Sequence, residues 1–381
     1  MASKDVTVYI GRFSPFHNGH AHVLRQALET SKLVIVLVGS SGQARSLKNP
    51  FTFHERADMI QKWLGSQVLG GQVIGGQGLQ DGAFGAIRIL PIRDYPYNDA
   101  LWIRQVQRIV KRQILDNFSL DDKPTVYITG SDRDESTWYL KAFPQWKQSL
   151  VEPYVQDSSL SVSATEIRKW LFSKEYDLEA AGKMNKMVPA STLRFLNAFS
   201  ETKEYAELVY EYEFLKKYKA SWANAPYAPT FVTVDSVVVQ SGHVLVVKRG
   251  AEPGRGLWAL PGGFVNQSEK LRTAAIRELV EETGIRLAEG KKAKELTEQI
   301  LNGSVRESET FDKPDRDLRG RTITTAFLIR LDDTKPLPKV KGMDDAADAF
   351  WVPISDALEM TDKWYADHHA ILETLIAYKD I

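Results

Sequence analysis

The chain has 381 residues, 43% apolar and 26% charged, which exceeds what one hydrophobic core usually organises and predicts a water-soluble protein of two domains. Lys plus Arg and Asp plus Glu number 49 each, so no net charge draws in nucleic acid over distance and no nucleic-acid partner is expected. There is no cysteine, which excludes disulfides, thiolate metal sites and cysteine nucleophiles, and any metal must be held by oxygen or histidine.

The N-terminal MASKDVTVYI lacks the basic and then apolar layout of a signal peptide, and the longest plain apolar run, Leu33 to Val38, is too short to span a bilayer. No membrane partner and a cytoplasmic location are expected. Val6 to Ile10 and Leu33 to Val38 are short β-branched runs flanking a helical stretch from about Asn18 to Thr30, a βαβ opening that predicts a parallel sheet. Residues 65 to 86 are rich in Gly and Gln without the spacing of a dinucleotide fingerprint and read as a flexible loop or insertion. Thr125 to Thr129 is a further strand candidate ending at Gly130, and Ser163 to Phe172 reads as a helix opened by small hydroxyl residues. The first domain is placed at 1–190. A helical connector follows over 191–228, with Leu208, Tyr212 and Leu215 at helical spacing before the proline-containing Ala225 to Thr230. From Phe231 the strand-like segments VTVDSVVV, HVLVVKR, TAFLIRL and AFWVPI, with one strong helix between them and one at the end, predict an α+β domain with a mixed sheet over 229–381.

The segment Gly11-Arg12-Phe13-Ser14-Pro15-Phe16-His17-Asn18-Gly19-His20 closes the first strand and opens the first helix. At that end of a parallel α/β sheet the helix N-terminus offers backbone N–H groups and partial positive charge to an anion. His17 and His20 flank a glycine that permits close approach, which places both rings within reach of a triphosphate. A bare H-x-x-H pair also fits a metal site or two capping histidines. The segment resembles the H-x-G-H signature of adenylyl- and cytidylyltransferases, and Ser163-Ala164-Thr165-Glu166-Ile167-Arg168 resembles the S-x-T-x-x-R element of that superfamily. Narrower similarities, to nicotinamide mononucleotide adenylyltransferases of the archaeal type, lie in Gly39-Ser40-Ser41, in Ser46 to Thr52 with Glu55-Arg56, and in Asn98 to Trp102. Ser14 stands where that family commonly has glutamine.

Gly263, Glu269, Arg277, Glu278, Leu279, Glu281, Glu282, Gly284 and Ile285 match every defined position of G-x5-E-x7-R-E-U-x-E-E-x-G-U, where U is a bulky aliphatic residue. At 100° per residue Glu278, Glu281 and Glu282 share one helix face, with Ile276, Leu279, Val280 and Thr283 opposite. Three close carboxylates repel one another unless a cation binds them, and hard divalent ions prefer oxygen, so these three are metal-ligand candidates. Glu269 is read as support for the loop before the helix, Arg277 as a partner that fixes a glutamate rotamer, and Gly284 as the permissive residue past the helix end. The pattern resembles the Nudix box.

Together the similarities cover nearly the whole chain and resemble the bifunctional nicotinamide mononucleotide adenylyltransferase/ADP-ribose pyrophosphatases: a Rossmann-like α/β nucleotidyltransferase domain followed by an α+β Nudix domain. That resemblance implies in-line attack of the mononucleotide phosphate on the α-phosphorus of ATP, giving NAD, with Arg12, His17, His20 and Arg168 holding phosphates and Lys48 in addition. Gly11, Phe13, Ser163 and Thr165 belong to the same binding surface. Trp102 either stacks on the nicotinamide or packs in the core, beside Asn98, and Asp132 beyond Gly130 binds a ribose or caps a helix. For the second domain, Asp315 to Thr324 resembles ADP-ribose hydrolases and makes Arg319 and Arg321 substrate-binding candidates, although these arginines equally fit surface charges on a strand edge. Mg²⁺ is the implied cofactor, Mn²⁺ its alternative, and a homo-oligomer is expected. NADH or another dinucleotide as the Nudix substrate, a cytidylyltransferase first domain, and a nucleotide-sensing regulator are the competing readings.

Overall fold

The computed structural model describes residues 4–69, 72–73, 86–119, 121–131, 135–156, 160–173 and 178–377. It divides into two compact units, Met1–Val209 and Tyr210–Ile381.

The first unit opens with β1 (Lys4–Gly11), α1 (Asn18–Thr30) and β2 (Ser31–Val38), as the β-branched runs predict. Then come α2 (Phe53–Gly65), a short hairpin of β3 (Val68–Leu69) and β4 (Gln72–Val73), β5 (Ala86–Pro91), α3 (Asp99–Asn117), β6 (Val126–Gly130) and β7 (Lys147–Leu150). Most of the Gly- and Gln-rich segment expected to be a loop lies outside the described residues. The main sheet runs β5-β2-β1-β6-β7, and every pairing in it is parallel. Alternate residues Val6, Val8, Ile10, Leu33, Ile35 and Leu37 form one core with Val106 and Val110 of α3. Val34, Val36 and Val38, pointing the other way, are also buried, because a parallel sheet is covered on both faces. The chain reverses its direction of strand addition between β1 and β6, and the carboxyl ends of those two strands flank the crevice where α/β sheets bind ligands.

A small hairpin of β8 (Val155–Gln156) and β9 (Leu160–Ser161) precedes α4 (Ala164–Phe172), α5 (Leu178–Met187), α6 (Ala190–Phe199) and α7 (Lys203–Ala220). The stretch expected to be a connector is helical, but the division between units falls inside α7. Helix α6 packs on α2 as part of the first unit, its Phe195 and Phe199 meeting Phe51 at 5.5 and 5.1 Å.

The second unit holds β10 (Thr230–Gln240), β11 (His243–Arg249), β12 (Trp258–Ala259), β13 (Gly262–Phe264), α8 (Leu271–Thr283), α9 (Ala293–Ser304), β14 (Val305–Phe311), β15 (Arg321–Arg330), β16 (Ala346–Pro353), α10 (Ile354–Glu359) and α11 (His368–Ala377). The sheet is mixed: β10 pairs parallel with β15 and antiparallel with β11 and β13. Val234, Val238, Leu245 and Ile329 pack against Ala274, Ala275 and Leu279 of α8 and Leu301 of α9, which fixes α8 across β10 and β13. No helix among the described residues is long and apolar enough to cross a membrane.

Candidate active sites

In the first unit the site is built on the loop between β1 and α1. His17 is the N-cap of α1, and the capping is reciprocal: His17 Nδ1 accepts from the His20 N–H and His20 Nδ1 from the His17 N–H, each at 3.3 Å. The two rings stack with centroids 3.6 Å apart. Capping and ligand binding are therefore compatible, since the caps use Nδ1 and a phosphate would meet Nε2. Phe13 takes a positive φ of 52°, and its buried ring lies under the end of β1 so closely that a Cβ at Gly11 would sit 2.9 Å from Phe13 Cζ. Glycine is required there by close approach.

Ser163 caps α4, accepting from the Thr165 N–H at 3.2 Å. From that helix Arg168 donates to the Ser14 carbonyl at 2.6 Å and to Thr165 Oγ1 at 3.3 Å. The two motifs, 154 residues apart in sequence, are thus one structure. Burial lowers the Arg168 pKa to about 10, with Arg12 nearby adding to it, so the guanidinium stays charged at neutral pH. Arg12 is exposed beside it.

Arg56, quoted in the sequence only as part of a similarity, proves central. It is fully buried and donates to the carbonyls of Arg12 (2.7 Å), Gly39 (2.6 Å), Ser40 (3.2 Å) and Thr52 (3.2 Å). It fastens together the loops that leave β1 and β2. Asp94 completes this frame by accepting from the Ser40 N–H at 3.0 Å and Ser40 Oγ at 2.6 Å. Lys48 is half-buried in the segment before α2. Asn98 caps α3, its Oδ1 accepting from the Leu101 N–H at 2.9 Å. Trp102 packs against the core beside Phe143 and Trp138, with ring centroids at 6.1 and 5.5 Å. Gly130 ends β6, and Asp132 lies outside the described residues.

In the second unit the site lies on α8. The helix starts at Leu271, so Glu269 stands in the preceding loop, where its carboxylate accepts twice from Arg277 (2.6 and 3.0 Å) and once from the Asn266 N–H (2.8 Å). These bonds, Arg277 first, hold its pKa down at about 2. Arg277 also donates to Glu278 at 2.8 Å and Glu281 at 2.9 Å. A Cβ on Gly263 would fall 2.6 Å from Glu278 Cδ, so the β13 backbone lies directly against that carboxylate. Gly284 ends the helix in the left-handed region at φ 57°.

The three glutamates do not form one solvent-facing row. Glu282 is buried, because its 40° offset from Glu278 turns it toward Leu279 and β13, and it accepts from the Gly262 N–H at 2.8 Å. Burial pushes its carboxyl well above the ordinary carboxylate range, and Asp345 and Glu278 add to this against the Gly262 bond. Burial also raises Glu278, partly countered by Arg277. Among the described residues no three acidic or histidine side chains stand close enough to hold an ion as arranged. The chemistry nevertheless fits a hard cation: Arg277 takes one oxygen each of Glu278 and Glu281, and the like charges crowding Glu282 are what a divalent ion relieves.

A cavity opens beside Glu282 and is also lined by Asp345, Arg249, Arg316, Asp317 and Arg319. Asp345 and Arg249 carry no motif and were not legible in the sequence. Arg319 is not a surface charge. It is mostly buried and forms a bidentate pair with Asp317 at 2.7 Å, while Arg316 pairs with buried Asp367 at 2.9 Å. Arg321 differs: it begins β15, bonds to the Asp312 carbonyl, and is not among the residues lining the cavity.

Comparison with known proteins agrees with this geometry. The Cytidylyltransferase-like family matches residues 8–170 and the NUDIX domain family residues 229–375. A nicotinamide/nicotinic acid mononucleotide adenylyltransferase of Acinetobacter baylyi is 32% identical over 56% of this chain and 95% of its own length. An ADP-ribose pyrophosphatase of Methanocaldococcus jannaschii is 29% identical over 49% of this chain and 91% of its own. A crystal structure of a bifunctional NMN adenylyltransferase/ADP ribose pyrophosphatase from Francisella tularensis, complexed with AMP and a manganese ion, superposes with a TM-score of 0.81 at 33% identity, covering 98% of this chain and 99% of that one.

Proposed function

The chain belongs to the family of bifunctional nicotinamide mononucleotide adenylyltransferase/ADP-ribose pyrophosphatases, and from that premise we propose a division of two reactions between its domains. Residues 1–190 transfer the adenylyl group of ATP to nicotinamide mononucleotide, releasing pyrophosphate and NAD. Residues 229–381 hydrolyse ADP-ribose to AMP and ribose 5-phosphate. The observation that carries the first half is the Arg168–Ser14 bond, which closes the β1–α1 loop against the α4 N-terminus at the point where strand order reverses. The second half is supported by the fit of Gly263 to Glu278 beside a polar cavity.

In the adenylyl transfer the nucleophile is a phosphate already ionised, so positioning and charge neutralisation suffice. The N–H groups at the start of α1, His17 and His20 through Nε2, and the cations Arg12, Arg168 and Lys48 take the triphosphate. Asn98, Trp102, Gly130 and Asp132 are assigned to the mononucleotide side. In the hydrolysis Glu278, Glu281 and Glu282 would hold Mg²⁺, or Mn²⁺ in its place. A bound divalent ion neutralises the diphosphate and activates water. Arg277 and Glu269 keep Glu278 and Glu281 in their rotamers, and Arg319, held by Asp317, is assigned a polar contact with the substrate. The working protein is placed in the cytoplasm as a homo-oligomer.

The test is to assay both reactions, with ATP against CTP in the first, in the wild type, His20→Ala and Glu282→Gln, beside thermal melts. Gln at 282 keeps an acceptor for the Gly262 N–H while losing the charge, so ADP-ribose hydrolysis falls by orders of magnitude and NAD synthesis persists. His20→Ala does the reverse, at a stability cost of about 1 kcal/mol for the lost cap. One substitution abolishing both activities in a normally melting protein would overturn the division, and equal use of CTP would make the first domain a cytidylyltransferase.

A further inference from the structure

Tyr365 lines the cavity beside Glu282. It is 6% exposed, and its phenol oxygen has no hydrogen-bond partner among the described residues. A buried tyrosine hydroxyl is normally paired, since leaving it unpaired destabilises the fold. Its surroundings hold it in place. The Arg249 guanidinium lies 4.3 Å from the ring centroid, and the Tyr365 N–H donates to the Trp258 carbonyl at 2.8 Å. On another side Gly254, at φ 76°, approaches so closely that a Cβ there would fall 2.2 Å from Tyr365 Cδ2. These contacts hold the ring in its place on the cavity wall.

The groups around it narrow what it can bind. Asp317 and Arg319 both lie near enough to act on the phenol as charges, and burial, with Asp317 adding, raises its pKa. The phenol therefore stays neutral, one donor and one acceptor. Asp317 and Arg319 are paired with each other, and Tyr365 adds a neutral hydroxyl to a wall whose other polar side chains, Thr233 apart, are charged or are His368. A phosphate is served by cations, whereas an alcohol is matched by a group that both donates and accepts.

We propose that Tyr365 is a specificity-determining residue of the hydrolase site, its hydroxyl forming a hydrogen bond with a ribose hydroxyl of the substrate. The proposal rests on the ADP-ribose reading, and that substrate carries two riboses.

The test uses full-length Tyr365→Phe. Steady-state hydrolysis of ADP-ribose should show the loss in KM, about three- to tenfold for one neutral hydrogen bond, and little of it in kcat. The melting temperature should hold or rise, because the change removes an unpartnered buried hydroxyl and keeps the ring. Calorimetric titration of AMP and of ribose 5-phosphate, each with Mg²⁺, locates the contact: weaker AMP binding assigns it to the nucleoside ribose, weaker ribose 5-phosphate binding to the other, and either supports the proposal. Unchanged KM with unchanged binding of both products would overturn it, as would a lowered melting temperature, which marks a packing residue. If the wild type left ADP-ribose intact, the substrate reading would fail, while the two titrations would still decide the Tyr365 contact.

Discussion

Replacing Arg56 with methionine keeps most of the buried volume and removes every bond the guanidinium makes. Four carbonyls lose a bond: those of Arg12 and Gly39 are left without a donor, whereas the Ser40 carbonyl keeps Asn49 Nδ2 and the Thr52 carbonyl keeps the residue 56 backbone N–H. At about 1–3 kcal/mol for each of the two orphaned acceptors and about 1 kcal/mol for each of the two other bonds, the loss is roughly 4–8 kcal/mol. Against this, burial lowers the Arg56 pKa from 12.5 to about 10, so the charged side chain itself costs about 3 kcal/mol relative to water, and its removal relieves that. The net destabilisation is roughly 1–5 kcal/mol. Because three of the four carbonyls belong to the loops leaving β1 and β2, the ATP site should loosen with them. Denaturant melts and calorimetric ATP titration well below the melting transition read the two effects separately. Arg56→Lys, which keeps the charge and part of the bonding, should fall between methionine and wild type in both. An Arg56→Met protein less stable by the stated amount but binding ATP as before would refute the claim that Arg56 positions the phosphate loop. Unchanged stability would refute the energetics.

Three further outcomes follow from the second unit. Gly263→Ala puts a methyl 2.6 Å from Glu278 Cδ, and because Arg277 holds that glutamate, ADP-ribose hydrolysis should drop about 10–100-fold, the usual size of a disturbed metal-ligand support. NAD synthesis measured on the same preparation should not change. Glu269 has its carboxyl lowered from 4.5 to about 2 by Arg277, so the stabilisation it brings is present above pH 4.5 and lost as pH falls toward 2. The melting-temperature gap between wild type and Glu269→Gln should therefore close across that interval, and a gap that widened would reverse the assignment. Stripping divalent ions with a chelator should stop ADP-ribose hydrolysis, and Mg²⁺ or Mn²⁺ added back should restore it; hydrolysis persisting after stripping would remove the glutamates from the mechanism.

Much of this architecture could be read from residue order. The β-branched runs around Asn18–Thr30 gave the βαβ unit because a buried parallel strand must be apolar on both faces, and Ser163 marked its helix start because a hydroxyl is what an N-cap requires. The glutamate spacing placed α8. What escaped were contacts made by tertiary approach. Arg56 looks in sequence like any charged helix residue; only the convergence of β1 and β2 brings four carbonyls to it. Residues 293–311 form α9 and β14; α9 is amphipathic and buries Thr297 and Leu301, so its helical period is legible although no motif marks it.

The glutamate row shows where periodicity stops being informative. A helical wheel separates Glu278, Glu281 and Glu282 from Leu279 by angle alone, but burial depends on what lies opposite. Here β13 passes over α8, where Gly263 has no side chain to hold off Glu278, while the bare side of Gly262 lies against β10 at Val234 and Asp235 and its N–H turns to Glu282. Glu282 is then covered, and survives as a carboxyl because the Gly262 N–H meets it. The same approach presses Gly263 on Glu278. The strand thus covers Glu282 fully and Glu278 largely, and leaves Glu281 the exposed one of the three. That division, one sequestered glutamate crowded by Asp345 and two held by Arg277, sets the charge that any cation must balance. It is a property of the strand–helix pair, so substitutions at Gly262 or Gly263 should alter metal affinity with all three glutamates still in the chain.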